Sequence, residues 1–240
     1  MVVLASVAGQ SLSAQERFDI SVYPYATAPR GEWELEGHVN YASRGTSGFD
    51  GSVAPTQGQW RFTAEVSRGI TDHWELAGYL LGGQVPGFGL EYAGWRLRSR
   101  LRAPESWRFP VNVGFSAEYE TARPKFSESA RTAELTAVFE RRFGGLQLIA
   151  DPTFERDLAG PEREWEFEPR ARAGYDVSKA VTLGFEYYGA FEEAKQAHQF
   201  YPTADLRLGD DMTLHVGVGF GGVSAGDRLV FKTRFEIGDF

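Results

Sequence analysis

A chain of 240 residues without cysteine can hold neither a disulfide framework nor a thiolate metal site, and its net charge of −8 lacks the basic footprint of a nucleic-acid binder. Its 28 glycines, 14% aromatic residues and only two methionines lean toward β structure joined by tight turns. No stretch approaches the roughly 20 apolar residues that a membrane helix needs.

The chain starts with MVVLASVAG and continues with small residues in QSLSAQ. This predicts a secretion signal over 1–14 that lacks its basic leading region. Residues 15–31 are expected to form a periplasmic or lumenal segment, and 32–240 a β-barrel. From Glu32 onward the apolar residues recur with period two, not 3.6. GEWELEGHVNY sets Trp33, Leu35, Val39 and Tyr41 against Glu34, Glu36, His38 and Asn40. QWRFTAEVS opposes Trp60, Phe62 and Val66 to Arg61 and Glu65, and a weaker strand follows around Trp74 and Glu75. GWRLRSRLR carries a basic ladder of Arg96, Arg98, Arg100 and Arg102 opposite Trp95, Leu97 and Leu101. VNVGFSAEYE turns Glu118 and Glu120 away from Val113, Phe115 and Tyr119, and weaker strands lie near 132–140 and 146–155.

The second half repeats the pattern. EWEFEPRARAGY puts Glu164, Glu166, Glu168, Arg170 and Arg172 opposite Trp165, Phe167 and Tyr175. VTLGFEYYGAF carries Glu186, TLHVGVGF carries His215, and LVFKTRFEI carries Lys232 and Arg234, each on its polar face. With a weaker strand at 200–208, the total is about twelve, each close to the ~9–11 residues of a tilted membrane strand. RGITDH, RAPES, RRFGG, DVSKA and GDDM read as tight turns. Longer connections fall between them, near 44–57, 83–89, 121–130, 157–163, 191–198 and 222–227. Short turns at one end and long loops at the other is the asymmetry of outer-membrane barrels, whose short turns are periplasmic.

Period two does not say whether the apolar face meets a core or lipid. A soluble β-sandwich or lipocalin-like barrel would turn it inward. Three features favour lipid. Every strand repeats a charged opposite face, which a wet interior explains. Trp33, Trp60, Trp74, Trp107 and Trp165 lie near strand ends, as interfacial aromatics do, and the terminal Phe240 fits the same girdle. Closure also satisfies every backbone amide, as lipid demands. The expected partners are therefore outer-membrane lipid and lipopolysaccharide, the barrel-assembly machinery, and a small solute.

No enzyme motif emerges. None of His38, His73, His198 or His215 has a serine two residues on, as a lipase-like strand pair would require. His73 is expected in a turn and His198 in an external loop. GFGL and GVGFGG lack the strand–loop–helix setting of a phosphate cradle. No cofactor, metal or catalytic residue is expected. The candidate site is the lumen, lined by Glu34, Glu36, His38, Arg61, Glu65, Glu75, Arg96, Arg98, Arg100, Glu118, Glu166, Glu168, Arg170, Arg172, Glu186, His215, Lys232 and Arg234, with Arg228 beside the last two. Rows of arginine facing carboxylates orient polar solutes in a pore. The same rows can instead pair across strands and fill a closed barrel.

YPYATAPRGEWELE, the GITDHWELAGYL hairpin, WRLRSRLRAPESWRFPVNVGFSAEYE and YPTADLRLGDDMTLHVGVGFG together resemble proteobacterial outer-membrane barrels of transporter-like type, akin to the phenol-degradation meta-pathway barrels. The resemblance spans most of 21–240. It implies an integral outer-membrane location and a channel for small polar or aromatic solutes, and it transfers no site residue.

Overall fold

The computed structural model of the chain describes residues 17–160, 165–191, 196–209, 211–222 and 226–238. The expected secretion signal, Glu164 and Phe240 lie outside them. The strand segments are β1 (Trp33–Arg44), β2 (Gln59–Thr71), β3 (Trp74–Gln84), β4 (Leu90–Arg102), β5 (Asn112–Ala122), β6 (Arg131–Phe143), β7 (Leu146–Asp151), β8 (Thr153–Asp157), β9 (Glu166–Phe167), β10 (Arg170–Asp176), β11 (Val181–Phe191), β12 (Gln196–Arg207), β13 (Met212–Gly221) and β14 (Leu229–Ile237). Pro152 separates β7 from β8 and Pro169 separates β9 from β10, because proline has no amide to give the ladder. Each broken pair runs as one strand, so 14 segments make a barrel of twelve strands.

Every pairing is antiparallel between chain neighbours, and β14 returns to pair with β1 from Leu35↔Ile237 to Arg44↔Leu229. The hydrogen-bond ladder therefore has no free edge, which is what hydrocarbon requires of a spanning sheet. Residues 72–73, 144–145 and 177–180 make short turns at the end where β1 begins, the end at which β12 also finishes and β13 starts. The remaining connection at that end, 103–111, is longer than the tight RAPES turn expected and includes a 3₁₀ turn at Glu105–Trp107. At the opposite end 45–58, 85–89 and 123–130 form wider loops.

Burial is inverted relative to a soluble protein. Leu80 is 63% exposed, and Leu35, Leu97, Leu101, Leu183, Phe185, Phe220 and Ile237 are exposed likewise around the outside. Arg61, Glu75 and Glu186 are almost wholly buried inside. A soluble sandwich hides its large apolar groups and leaves charges in water; here the outer belt is the surface that lipid covers. Trp33, Trp74 and Trp107 ring the short-turn end, while Trp60 and Trp165 ring the loop end. Trp74 donates from Nε1 to Ser99 Oγ at 3.0 Å.

Candidate functional site

The lumen is built by alternation along each strand and by register between strands. On β4, Arg96, Arg98 and Arg100 alternate with the outward-facing Leu97, Ser99 and Leu101, so all three point inward at successive levels. Register sets Arg96 opposite Glu120, Arg98 opposite Glu118 and Arg100 opposite Glu75. The guanidinium groups reach further than these direct neighbours. Arg98 meets Glu65 at 2.5 Å and Glu75 at 3.0 Å, while Arg96 meets Glu120 at 2.6 Å and Glu118 at 3.3 Å. Arg100 is only loosely paired, 3.7 Å from Glu75.

Across the barrel a second network gathers on β10–β14. Lys232 pairs with Glu186, which also accepts from Tyr188 Oη at 2.7 Å. Arg172 lies 3.5 Å from Glu186 and pairs with Asp205. His215 pairs with Asp205 through Nδ1 and sits 3.3 Å from Glu186 through Nε2. Arg170 pairs with Glu134. Between the two networks Arg234 stands 3.1 Å from Glu236 and 3.6 Å from Glu36, and Glu36 is 3.4 Å from His38. His38 and His215 each face Arg234 in register, from β1 and β13.

The interior is not empty. Residues 17–29 run through it in extended form, from the loop end to the short-turn end, before the chain enters β1. Phe18 packs edge-on to Phe126 of the 123–130 loop, with ring centroids 6.0 Å apart, in a cluster with Ala54, Tyr79, Leu81 and Val85. Ile20 and Val22 join a second cluster with Ile149, Tyr188, Tyr201 and Val230. Asp19 faces the arginine ladder, 3.2 Å from Arg96 and 3.5 Å from His38. Tyr23 is enclosed by Arg98 and Arg100, whose guanidinium carbons lie 5.0 and 5.4 Å from its ring centroid, with Arg170 at 6.0 Å. This geometry is favourable for cation–π attraction.

The backbone of this segment forms no regular ladder inside the lumen; side chains of the wall satisfy it instead. Asp151, Glu140 and Glu75 accept from the amides of Tyr23, Tyr25 and Ala28 at 2.7, 2.9 and 2.7 Å. Arg100 donates to the carbonyls of Pro24 and Ala26 at 2.5 and 2.6 Å, Lys232 to Ile20 at 3.1 Å, and Thr63 and Asn40 to Phe18 at 2.9 and 3.0 Å. At the exit the amide of Gly31 donates to Gly69 at 2.7 Å. A Cβ on Gly69 would fall 2.0 Å from the Pro29 carbonyl oxygen, so only glycine admits the chain there.

At the loop end Arg61 and Asp227 form a fully buried pair at 2.6 Å. Burial pushes the Asp227 carboxyl up, but Arg61 and Arg17 outweigh it and hold that carboxyl below its ordinary value.

Of the expected lining residues, Glu34, Glu36, His38, Arg61, Glu65, Glu75, Arg96, Arg98, Arg100, Glu118, Glu168, Arg170, Arg172, Glu186, His215, Lys232 and Arg234 lie on the inner face. Glu166 shares that parity but is exposed, because β9 has only two residues and stands at the rim. Arg228 precedes β14 and is also exposed. His198, expected in a loop, lies in β12, where Nδ1 shares a 2.9 Å hydrogen bond with Tyr187 Oη. Sequence reasoning missed Asp19, Tyr23, Asp151, Asp205 and Asp227. Asp151 and Asp205 carried the same period-two signal on strands read as weak; the others depend on contacts far apart in the chain.

Glu36, His38 and Glu65 bring ligand atoms within 4.8 Å of one another, and so do Glu134, Glu155 and Glu168. Arg98 and Arg170 already engage Glu65 and Glu134, so these groups serve as ion-pair partners in this state.

No protein-family model matches the sequence, and no curated protein does. Solved structures do match. The KdgM porin superposes with a TM-score of 0.61 at 9% identity, covering 85% of this chain and 98% of that one. The COG4313 outer membrane channel from Pseudomonas putida F1 gives 0.59 at 12% identity, covering 91% and 100%. The NanC porin gives 0.56 at 9% identity, covering 87% and 99%. What the chain shares with them is the fold of an integral outer-membrane β-barrel.

Proposed function

We propose that the barrel is an outer-membrane channel for small polar or aromatic solutes, closed by its own residues 17–29. One observation carries this reading. The segment that fills the lumen is held by wall side chains, not by a β-ladder, so it can leave without breaking the barrel. A closed barrel needing only packing would be expected to fill its interior with its own strands' side chains. Here an entire extended segment occupies that space, and its removal leaves a passage bordered by arginines and carboxylates that remain anchored to strands. Such a border favours solutes with polar or π-electron groups. The resemblance to transporter-like barrels supports the same solute class.

The test is planar-bilayer conductance of refolded protein with and without residues 17–29. The full chain is expected to be mostly silent and the deletion variant to conduct steadily. If a correctly folded deletion variant, judged by heat-modifiable gel mobility, passes no current, the barrel is instead an ion-paired structural protein without transport.

A further inference from the structure

Most arginines of the strands point into the lumen, but two at the loop end point away from it. Glu134 and Thr136 of β6 are buried inside, so Arg131 falls on the outer face. Thr153 of β8 is buried inside, which turns Phe154 and Arg156 outward. Register sets Ala133 opposite Arg156, and the Leu158 amide donates to the Arg131 carbonyl at 2.9 Å. Arg131 and Arg156 are therefore diagonal neighbours, and side chains of this length reach one another on a diagonal. Both are cations, and neither side chain has a hydrogen bond or ion pair among the described residues. Arg156 Nε is shielded from solvent without a hydrogen-bond partner. The outer face beside them is neutral: Thr121 lies opposite Arg131, and Tyr119 lies opposite Ala133. Asp157 turns inward and accepts from Ser129 Oγ and the amides of Ala159 and Gly160, at 3.0, 2.6 and 3.0 Å.

The pair adjoins an aromatic surface. The Arg156 guanidinium carbon stands 5.8 Å from the Trp165 ring centroid. From Phe154 a run of outward rings continues around the barrel. Phe154 to Phe167, Phe167 to Phe191 and Phe191 to His198 are 5.1, 5.9 and 5.5 Å between centroids, and Tyr187 and Phe200 follow. At the short-turn end Arg68 likewise stands 4.9 Å from the Trp33 ring, but Trp33 and Leu76 face it across the strands and no second cation does.

We propose that Arg131 and Arg156 clamp a phosphate of outer-leaflet lipopolysaccharide, whose acyl chains lie along the aromatic run. The wide loops mark the external end of the barrel, where the membrane presents phosphate on an acylated sugar. Planar guanidinium groups match phosphate oxygens in pairs, and aromatic rings suit the lipid–water boundary. The site is on the outer wall and is independent of the channel reading.

Native mass spectrometry of the full-length protein in detergent, titrated with diphosphoryl lipid A, tests it. Saturable binding is expected, weakened about tenfold or more in R131Q/R156Q, as loss of two basic groups at an anionic lipid surface implies. R68Q is expected to bind like the unmodified protein. Fully dephosphorylated lipid A, with the same acyl chains, is expected to bind about as weakly as diphosphoryl lipid A binds R131Q/R156Q. Inorganic phosphate alone is expected not to compete at the concentrations where the lipid saturates. Four results each overturn the proposal: no saturable binding, equal binding in heat-modifiable R131Q/R156Q, equal binding of dephosphorylated lipid A, or displacement by equimolar inorganic phosphate. The last would mark a free-anion site instead of a lipid site.

Discussion

The two sides of the lumen use the same side chains for different ends. On β10–β14, Lys232, Glu186, His215, Asp205 and Arg172 close a network among wall residues, to which the lumen segment adds the Ile20 carbonyl at Lys232 and the Ser21 hydroxyl at the neighbouring Arg234. On β2–β5, Arg96 takes Asp19, Arg98 and Arg100 enclose Tyr23, and Arg100 spends its donors on Pro24 and Ala26. One side pairs its charges mainly within the wall; the other takes more of its partners from residues 17–29. A buried ion pair whose partners both sit on wall strands, as Lys232 of β14 and Glu186 of β11 do, ties the barrel together. One whose partner lies on the lumen segment latches that segment and is released when it departs.

The comparison breaks most visibly at Lys232. Lys232→Met strips the ammonium from the buried Glu186, and leaving one partner of a buried pair uncompensated costs about 3–5 kcal/mol. Denaturant unfolding is expected to show that loss, while the surviving folded barrel stays electrically silent. A conducting K232M barrel of unchanged stability would erase the distinction between the two sides.

Arg100→Met is expected to do the reverse. Each hydrogen bond to a charged group contributes roughly 1.5–3 kcal/mol, and here both are made to the segment. The time spent open in single-channel records is expected to rise about 100-fold or more, with far less effect on unfolding than K232M. Tyr23→Leu is the milder version. It retains apolar volume but removes a ring faced by two guanidinium groups, a term of about 1–2 kcal/mol when desolvated. Opening is expected to increase less than in R100M. If Y23L opens the channel more than R100M, the ring rather than the carbonyl contacts is the latch.

The smallest effect concerns acid. The Asp227 carboxyl, pushed up by burial but pulled further down by Arg61 and Arg17, titrates below its ordinary value of 3.8 in the folded protein. Its stabilisation is present above 3.8 and is lost as pH falls through the lower folded value. Asp227→Asn is therefore expected to flatten the acid limb of stability against pH below about 4 and to leave neutral pH comparisons dominated by the lost pair itself. An unchanged acid limb would show that this loop-end contact does not respond to protonation.

Much of the candidate site was written locally. That Arg96, Arg98 and Arg100 share one face follows from their spacing, as does the outward direction of Leu97 and Leu101. Glu166 shows where this reasoning ends, because parity gives a direction but not whether the strand is long enough to enclose the residue. His198 shows the same for boundaries, since AKQAHQF contains no turn residue to mark where β12 starts. Arg61–Asp227 could not be read at all, its partners being 166 positions apart on a strand and a loop.

The sequence by itself determined which side chains meet lipid and which meet the lumen, because a side-chain period of two survives any choice of partner strand. Only the tertiary structure decided at what height each inward charge sits, and so which pairs form, because height depends on register accumulated around a closed circuit of twelve strands. It also decided that residues 17–29 lie inside. Their alternation fits a strand as well as a lumen segment, and the groups that hold their amides and carbonyls come from β1–β4, β6, β7 and β14, assembled there only once the barrel has closed.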